Sequence, residues 1–102
     1  MRKQLIGGKI SIIYHPGYGA GWYTWHGIRE ALFDPTIIEH IRNETFEEGQ
    51  KYLEETYNLD SSVYNIKELD IFYVMPGSKF LVMEYDGSET IISSDQIQFI
   101  EA

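Results

Sequence analysis

Apolar and polar positions follow three different spacings along the chain. Residues 9–14, Lys-Ile-Ser-Ile-Ile-Tyr, are β-branched and aromatic and predict a strand, which the turn chemistry of His15-Pro16-Gly17 closes. A glycine loop, Gly17-Tyr18-Gly19-Ala20-Gly21, then runs into Trp22-Tyr23-Thr24-Trp25, which reads as a short aromatic strand. From Asp34-Pro35 the spacing becomes helical. Asp34 suits an N-cap and Pro35 the first helical position, and Ile37, Ile38 and Ile41 share one face. Thr45 and Glu48 have capping-box spacing ahead of a second helix, residues 46–57, with Phe46, Leu53 and Tyr57 on one stripe and Asn58 as its stop.

Beyond residue 68 the spacing becomes strand-like again. The runs Leu69 to Met75, Lys79 to Tyr85, Ser88 to Ile92 and Ile97 to Glu101 are separated by Pro76-Gly77-Ser78, Asp86-Gly87 and Ser93 to Gln96. Asp86-Gly87 is the strongest local feature, because both central residues of a type I′ turn need positive φ. The expectation is an α+β single domain over residues 1–102: an antiparallel sheet of about four to five strands with a C-terminal meander, and two helices packed on one face.

Composition narrows the function classes. The chain has 102 residues and 43% hydrophobic content, enough for one core and too short for a second. It contains no cysteine, which removes disulfides and thiol chemistry and is compatible with a reducing compartment. Gly7, Gly8 and Lys9 interrupt what would be a secretory apolar region, so a cytoplasmic protein is expected. A net charge of −8 argues against general nucleic-acid binding. The charge is unevenly spread: residues 1–29 carry +4 from Arg2, Lys3, Lys9 and Arg29, and residues 30–102 carry −12. An anion-attracting surface is therefore expected from the first third.

Two surfaces stand out as binding candidates. In the first, Gly17, Gly19 and Gly21 free the backbone to approach a phosphate, Trp22, Tyr23 and Trp25, with Tyr18, offer faces for stacking, and Arg2, Lys9 and Arg29 supply charge. The same residues also read as a long hairpin loop and core filler, since the strand–loop–helix context of a phosphate loop is missing. The second surface is acidic. A two-residue turn at Asp86-Gly87 sets Glu84 opposite Glu89, a like-charge pair that invites a cation from Lys67, Lys79, a divalent ion or a partner protein. Glu54 and Glu55 extend the acidic surface on the second helix, where solvated carboxylates are equally ordinary. His15, His26 and His40 lack metal-ligand spacing, no serine lies in a nucleophile elbow, and helix capping accounts for Asp34, so neither a metal, a cofactor nor an enzymatic role is expected.

Three patches, Tyr18 to Trp22, Asp34-Pro35-Thr36-Ile37-Ile38 and Met83-Glu84-Tyr85-Asp86-Gly87-Ser88-Glu89-Thr90-Ile91, resemble a loosely defined group of small phage and prophage proteins. Those have an early tyrosine- and glycine-rich stretch, an Asp-Pro-led helix and a closing hairpin of the form I-E-E-Y-D-G-x-E-x-I. The stretch Gly19 to Trp25 departs from the group in being more aromatic. The resemblance implies an accessory, counter-defence role. Such proteins either sequester a small phosphorylated nucleotide signal or, in the manner of anti-CRISPR proteins, dock on a basic surface of a host nucleic-acid-handling or immune protein. Sequestration is the preferred expectation and acidic docking the alternative; a virion structural role is a third. Self-association through an apolar edge at Ile97 to Ile100 is also open.

Overall fold

A computed structural model describes residues 5–95 and has mixed α+β architecture. Strands β1 (Leu5–Ile6), β2 (Lys9–Tyr14) and β3 (Asp70–Val74) form an antiparallel sheet in that order, with β2 and β3 in register from Ile10 opposite Val74 to Tyr14 opposite Asp70. Among the described residues, strands β4 (Phe80–Tyr85) and β5 (Ser88–Ser93) pair only with each other. This corrects the expected single sheet with its C-terminal meander. Ser11, Ile12 and Ile13 of β2 are all buried, so that strand is covered on both faces. The hairpin serves as one of the covers and does not extend the sheet. The strand expected at Ile97 to Glu101 lies outside the described residues.

Four helices are present among the described residues, not two. α1 (Tyr23–His26) falls where the short aromatic strand Trp22 to Trp25 was expected, and α2 (Arg29–Phe33) follows it, with Gly27 between them at φ 68°. α3 (Pro35–Asn43) begins as its sequence requires, with Thr36 N–H donating to Asp34 Oδ1 at 2.8 Å. α4 (Phe46–Tyr57) ends at Asn58, whose φ of 57° provides the left-handed cap. The expected capping box is not formed: the Thr45 hydroxyl lies 2.6 Å from His40 Nδ1 and leaves the helix end uncapped by a side chain. A 3-10 turn at Ile66–Glu68 then leads into β3.

The core has two lobes, one on either side of β2. Ile13 faces Trp22, Ile37, Ile38, Leu53 and Leu59 beneath the helices. Ile12, the next residue along, faces Leu32, Phe33, Val74 and Ile91 under the hairpin. α2 bridges the two, giving Ala31 to the first lobe and Leu32 and Phe33 to the second. The α2–α3 junction is fixed to α4 by Asp34, whose buried carboxylate accepts from Tyr52 Oη at 2.7 Å and from Tyr57 Oη at 2.5 Å. Burial and the neighbouring Asp34 push both phenols above their ordinary range, so they remain donors. Among the described residues no helix is long and apolar enough to cross a membrane.

Candidate functional site

The turn at Asp86-Gly87 forms as its residues dictate. Both have positive φ, 51° and 83°, Tyr85 pairs with Ser88, and Glu84 stands opposite Glu89. The like-charge pair is resolved without any cation. Glu89 is 2% exposed, and its Oε1 accepts from His15 N–H at 2.9 Å. Its Oε2 accepts from Thr24 N–H at 2.8 Å and Thr24 Oγ1 at 2.6 Å. Glu84 Oε2 accepts from Gly87 N–H at 2.8 Å and Trp25 Nε1 at 3.3 Å. Neutral donors thus hold both carboxylates, in place of the cation that the like-charge pair invited. Of the hairpin carboxylates, Glu89 is unavailable to a partner, whereas Glu84 and Asp86 remain exposed.

Around that carboxylate the N-terminal segment is tied to the hairpin. Glu89 N–H donates to His15 O at 2.7 Å, and the buried His15 ring sets Nδ1 2.9 Å from Gly87 O and Nε2 3.2 Å from Glu68 Oε2. Gly19 N–H donates to Asp86 O at 3.1 Å, and Ser88 Oγ donates to Pro16 O at 2.7 Å. A Cβ on Gly87 would lie 1.4 Å from Gly19 O, so only glycine permits this approach. The loop containing Gly17, Gly19 and Gly21 is therefore seated on the hairpin tip, with the Gly19 N–H committed there and not free for a phosphate. Gly21 packs against α1, where a Cβ would meet the Trp25 ring at 2.6 Å.

The aromatic candidates separate. Trp22 is 0% exposed and its Nε1 donates to Ala31 O at 3.3 Å, so it presents no face for stacking and belongs to the core. Trp25 is 51% exposed beside Glu84, and Tyr18 is 71% exposed on the loop. Tyr23 is half-buried and lines a cleft of about 660 Å³ between α2 and the start of β4. Arg29 enters that cleft from α2, and Lys79 and Phe80 from the hairpin base, with Leu32 and Phe33 contributing apolar wall. No carboxylate lines it, and neither Arg29 nor Lys79 has an ion-pair partner among the described residues. Lys9 is elsewhere, exposed at the start of β2, where it adds to the hydrogen bonds from Ser93 and Met75 that hold the Asp95 carboxyl below its usual range. Arg2 lies outside the described residues.

The sequence therefore singled out Tyr23 and Arg29, which meet, but not Lys79, Phe80 or Phe33, which complete the same cleft. A lysine ending a turn before a strand carries no sequence mark of its own. A larger groove, about 850 Å³, runs along α4 and is lined by Glu44, Glu47, Glu48 and Glu54 together with Lys51 and Lys67. Its charges are mixed and solvated; Glu55 makes only a 3.9 Å pair with Lys51. The volume of the smaller cleft falls within the range of small-molecule sites, and its single sign of charge is the more informative property. Comparison with protein families, curated proteins and solved structures gave no match.

Proposed function

We propose that the protein is a non-enzymatic binding module whose cleft between α2 and β4 captures a small anion with a planar or apolar body, a phosphorylated nucleotide being the class that uses both features. The observation that carries this reading is that Arg29 and Lys79 line one cleft together with Tyr23 and Phe80, with no acidic side chain in the lining, on a chain of net charge −8. Two cations with no ion-pair partner among the described residues of an acidic protein favour an anionic guest, and the low-polarity wall beside them strengthens that attraction relative to open water. Arginine suits phosphate through its planar fork and lysine as a point charge, while Tyr23 and Phe80 offer apolar contact to a base or ribose. Sequestration of a host signal nucleotide is the role that agrees with the phage-like resemblance.

The test is calorimetric titration of the intact protein with a panel of nucleotides, including ADP-ribose and cyclic dinucleotides, with adenosine as the uncharged control. Phosphorylated compounds should bind and adenosine should not. Arg29→Ala and Lys79→Ala should each weaken binding roughly tenfold, as expected for the loss of one charge-assisted contact. No heat with any phosphorylated compound, or affinities unchanged in both variants, would overturn the reading.

A further inference from the structure

The opposite end of the hairpin has the opposite character, and we propose that it binds an arginine or lysine side chain of a partner polypeptide. The notch there, about 320 Å³, is lined by Tyr18, Met83, Glu84, Tyr85, Ser88 and Thr90. Tyr18 and Tyr85 are 71% and 77% exposed, and Met83 is 54% exposed, so the most open large apolar side chains of the described residues gather at one place. A scattered exposed side chain is ordinary; two tyrosines and a methionine held together around a carboxylate are not.

The notch is held in shape by the contacts that seat the glycine loop. The Gly19–Asp86 and Ser88–Pro16 hydrogen bonds and the close approach of Gly87 to Gly19 fix the loop bearing Tyr18 to the turn bearing Tyr85. Glu84 is oriented through its Oε2 by Gly87 N–H and Trp25 Nε1, and its Oε1 accepts no hydrogen bond from any described residue. No lysine or arginine lines the notch, and Glu84 and Asp86 make no ion pair among the described residues. Two phenol faces beside an oriented carboxylate match a cation on an apolar stem: the charge meets the aromatic quadrupole and the carboxylate, and the stem covers Met83. A phosphate would instead meet the like charge of Glu84.

Trp25 supplies the readout, because its indole donates to Glu84 and is half exposed, whereas Trp22 is sealed and contributes a constant background. Titrating the protein with Gly-Arg-Gly-Arg-Gly should give a saturable change in tryptophan emission, and Gly-Glu-Gly-Glu-Gly should give none. Tyr18→Ala and Tyr85→Ala keep the net charge of −8, so nonspecific attraction of a basic peptide would survive in them, but binding in the notch should weaken tenfold or more. Both side chains are exposed, and unchanged thermal unfolding of the variants excludes misfolding as the cause. The proposal is overturned if the basic peptide gives no change, if the acidic peptide gives the same one, or if both tyrosine variants bind like the parent. Binding that appears only as self-association on sizing columns would also overturn it, since the partner would then be a second copy. Failure of this experiment leaves the anion cleft untouched, because the two ends share no lining residue.

Discussion

Replacing Glu89 by glutamine tests whether the hairpin is held by a buried carboxylate, and replacing Glu84 by glutamine is its internal control. Each substitution removes one negative charge from the same cross-strand pair, so each relieves the same repulsion, roughly 0.2–1 kcal/mol. They differ in hydrogen bonding. Glu89 uses both oxygens, Oε1 for His15 N–H and Oε2 for Thr24 N–H and Oγ1. Glutamine has one carbonyl oxygen; if it serves Thr24, its amide N–H₂ meets the His15 N–H, and a buried donor is left unsatisfied at about 1–3 kcal/mol. The surviving bonds also lose their charge assistance. A net destabilisation of about 2–3 kcal/mol follows, or roughly 8–20 °C in melting temperature for a domain of this size. Glu84 uses only Oε2 for its two donors, and a glutamine carbonyl can replace that oxygen in place. Its substitution should shift the melting point by no more than a few degrees. Thermal unfolding followed by circular dichroism separates the cases, and melting points for the two variants within about 3 °C of each other would refute the reasoning.

Two further substitutions probe the helical lobe. Asp34→Asn should cost about 2–3 kcal/mol in urea unfolding, because an amide cannot accept from Tyr52 and Tyr57 on one atom and from Thr36 N–H on the other; a loss below about 0.5 kcal/mol would mean that these contacts do not hold the α2–α3 junction. His26 packs edge-on against Trp22 and accepts from Ile28 N–H at 2.8 Å, and burial pushes its pKa down to about 4. Between pH 6.5 and 4 the unfolded chain takes up a proton that the folded chain refuses, so stability is full above pH 6.5 and falls toward pH 4. Discounted for the partial exposure of the ring, the loss is on the order of 2 kcal/mol. The stability difference between the parent and His26→Gln should narrow by that amount as pH falls across this window, and a pH-independent difference would contradict it.

Elements governed by neighbouring residues were legible in the sequence, and those governed by distant contacts were not. β2 spans the residues that its β-branched run marks out, α3 starts at the Asp34-Pro35 cap, α4 stops at Asn58, and the Asp86-Gly87 turn sets the register of β4 against β5. In each case the deciding residues lie within a few positions of one another. Trp22 to Trp25 misled because aromatic content favours strands only where a sheet edge is available. Here Trp22 is drawn into the core and Thr24 is bonded to Glu89, sixty-five residues away, and the intervening chain closes into two short helices. The same distance hid half of the candidate cleft. Tyr23 and Arg29 could be named from a glycine- and aromatic-rich segment free of acids, but their companions Lys79 and Phe80 reach them only through the hairpin's placement over α2.

The hairpin's register bears on why a cationic cleft persists on so acidic a chain. Residues 30–102 carry −12, and Lys79 is only ten positions from Glu89 in sequence. The pairing nevertheless sets Glu89 opposite Glu84 beside the turn, five residues along the strand from Lys79, or about 17 Å at the rise of an extended chain, which a glutamate side chain does not span. Glu89 is also withdrawn from solvent by three donors, and Glu84 is held at the tip end by Gly87 and Trp25. Burying a carboxylate carries a desolvation cost that a solvated glutamate would avoid. That cost is met where the same three hydrogen bonds fasten the hairpin to the end of β2 and to α1. The separation of charge along the hairpin, cationic at Lys79 and anionic at Glu84 and Asp86, therefore follows from its register, and the buried carboxylate holds in place the element that displays it.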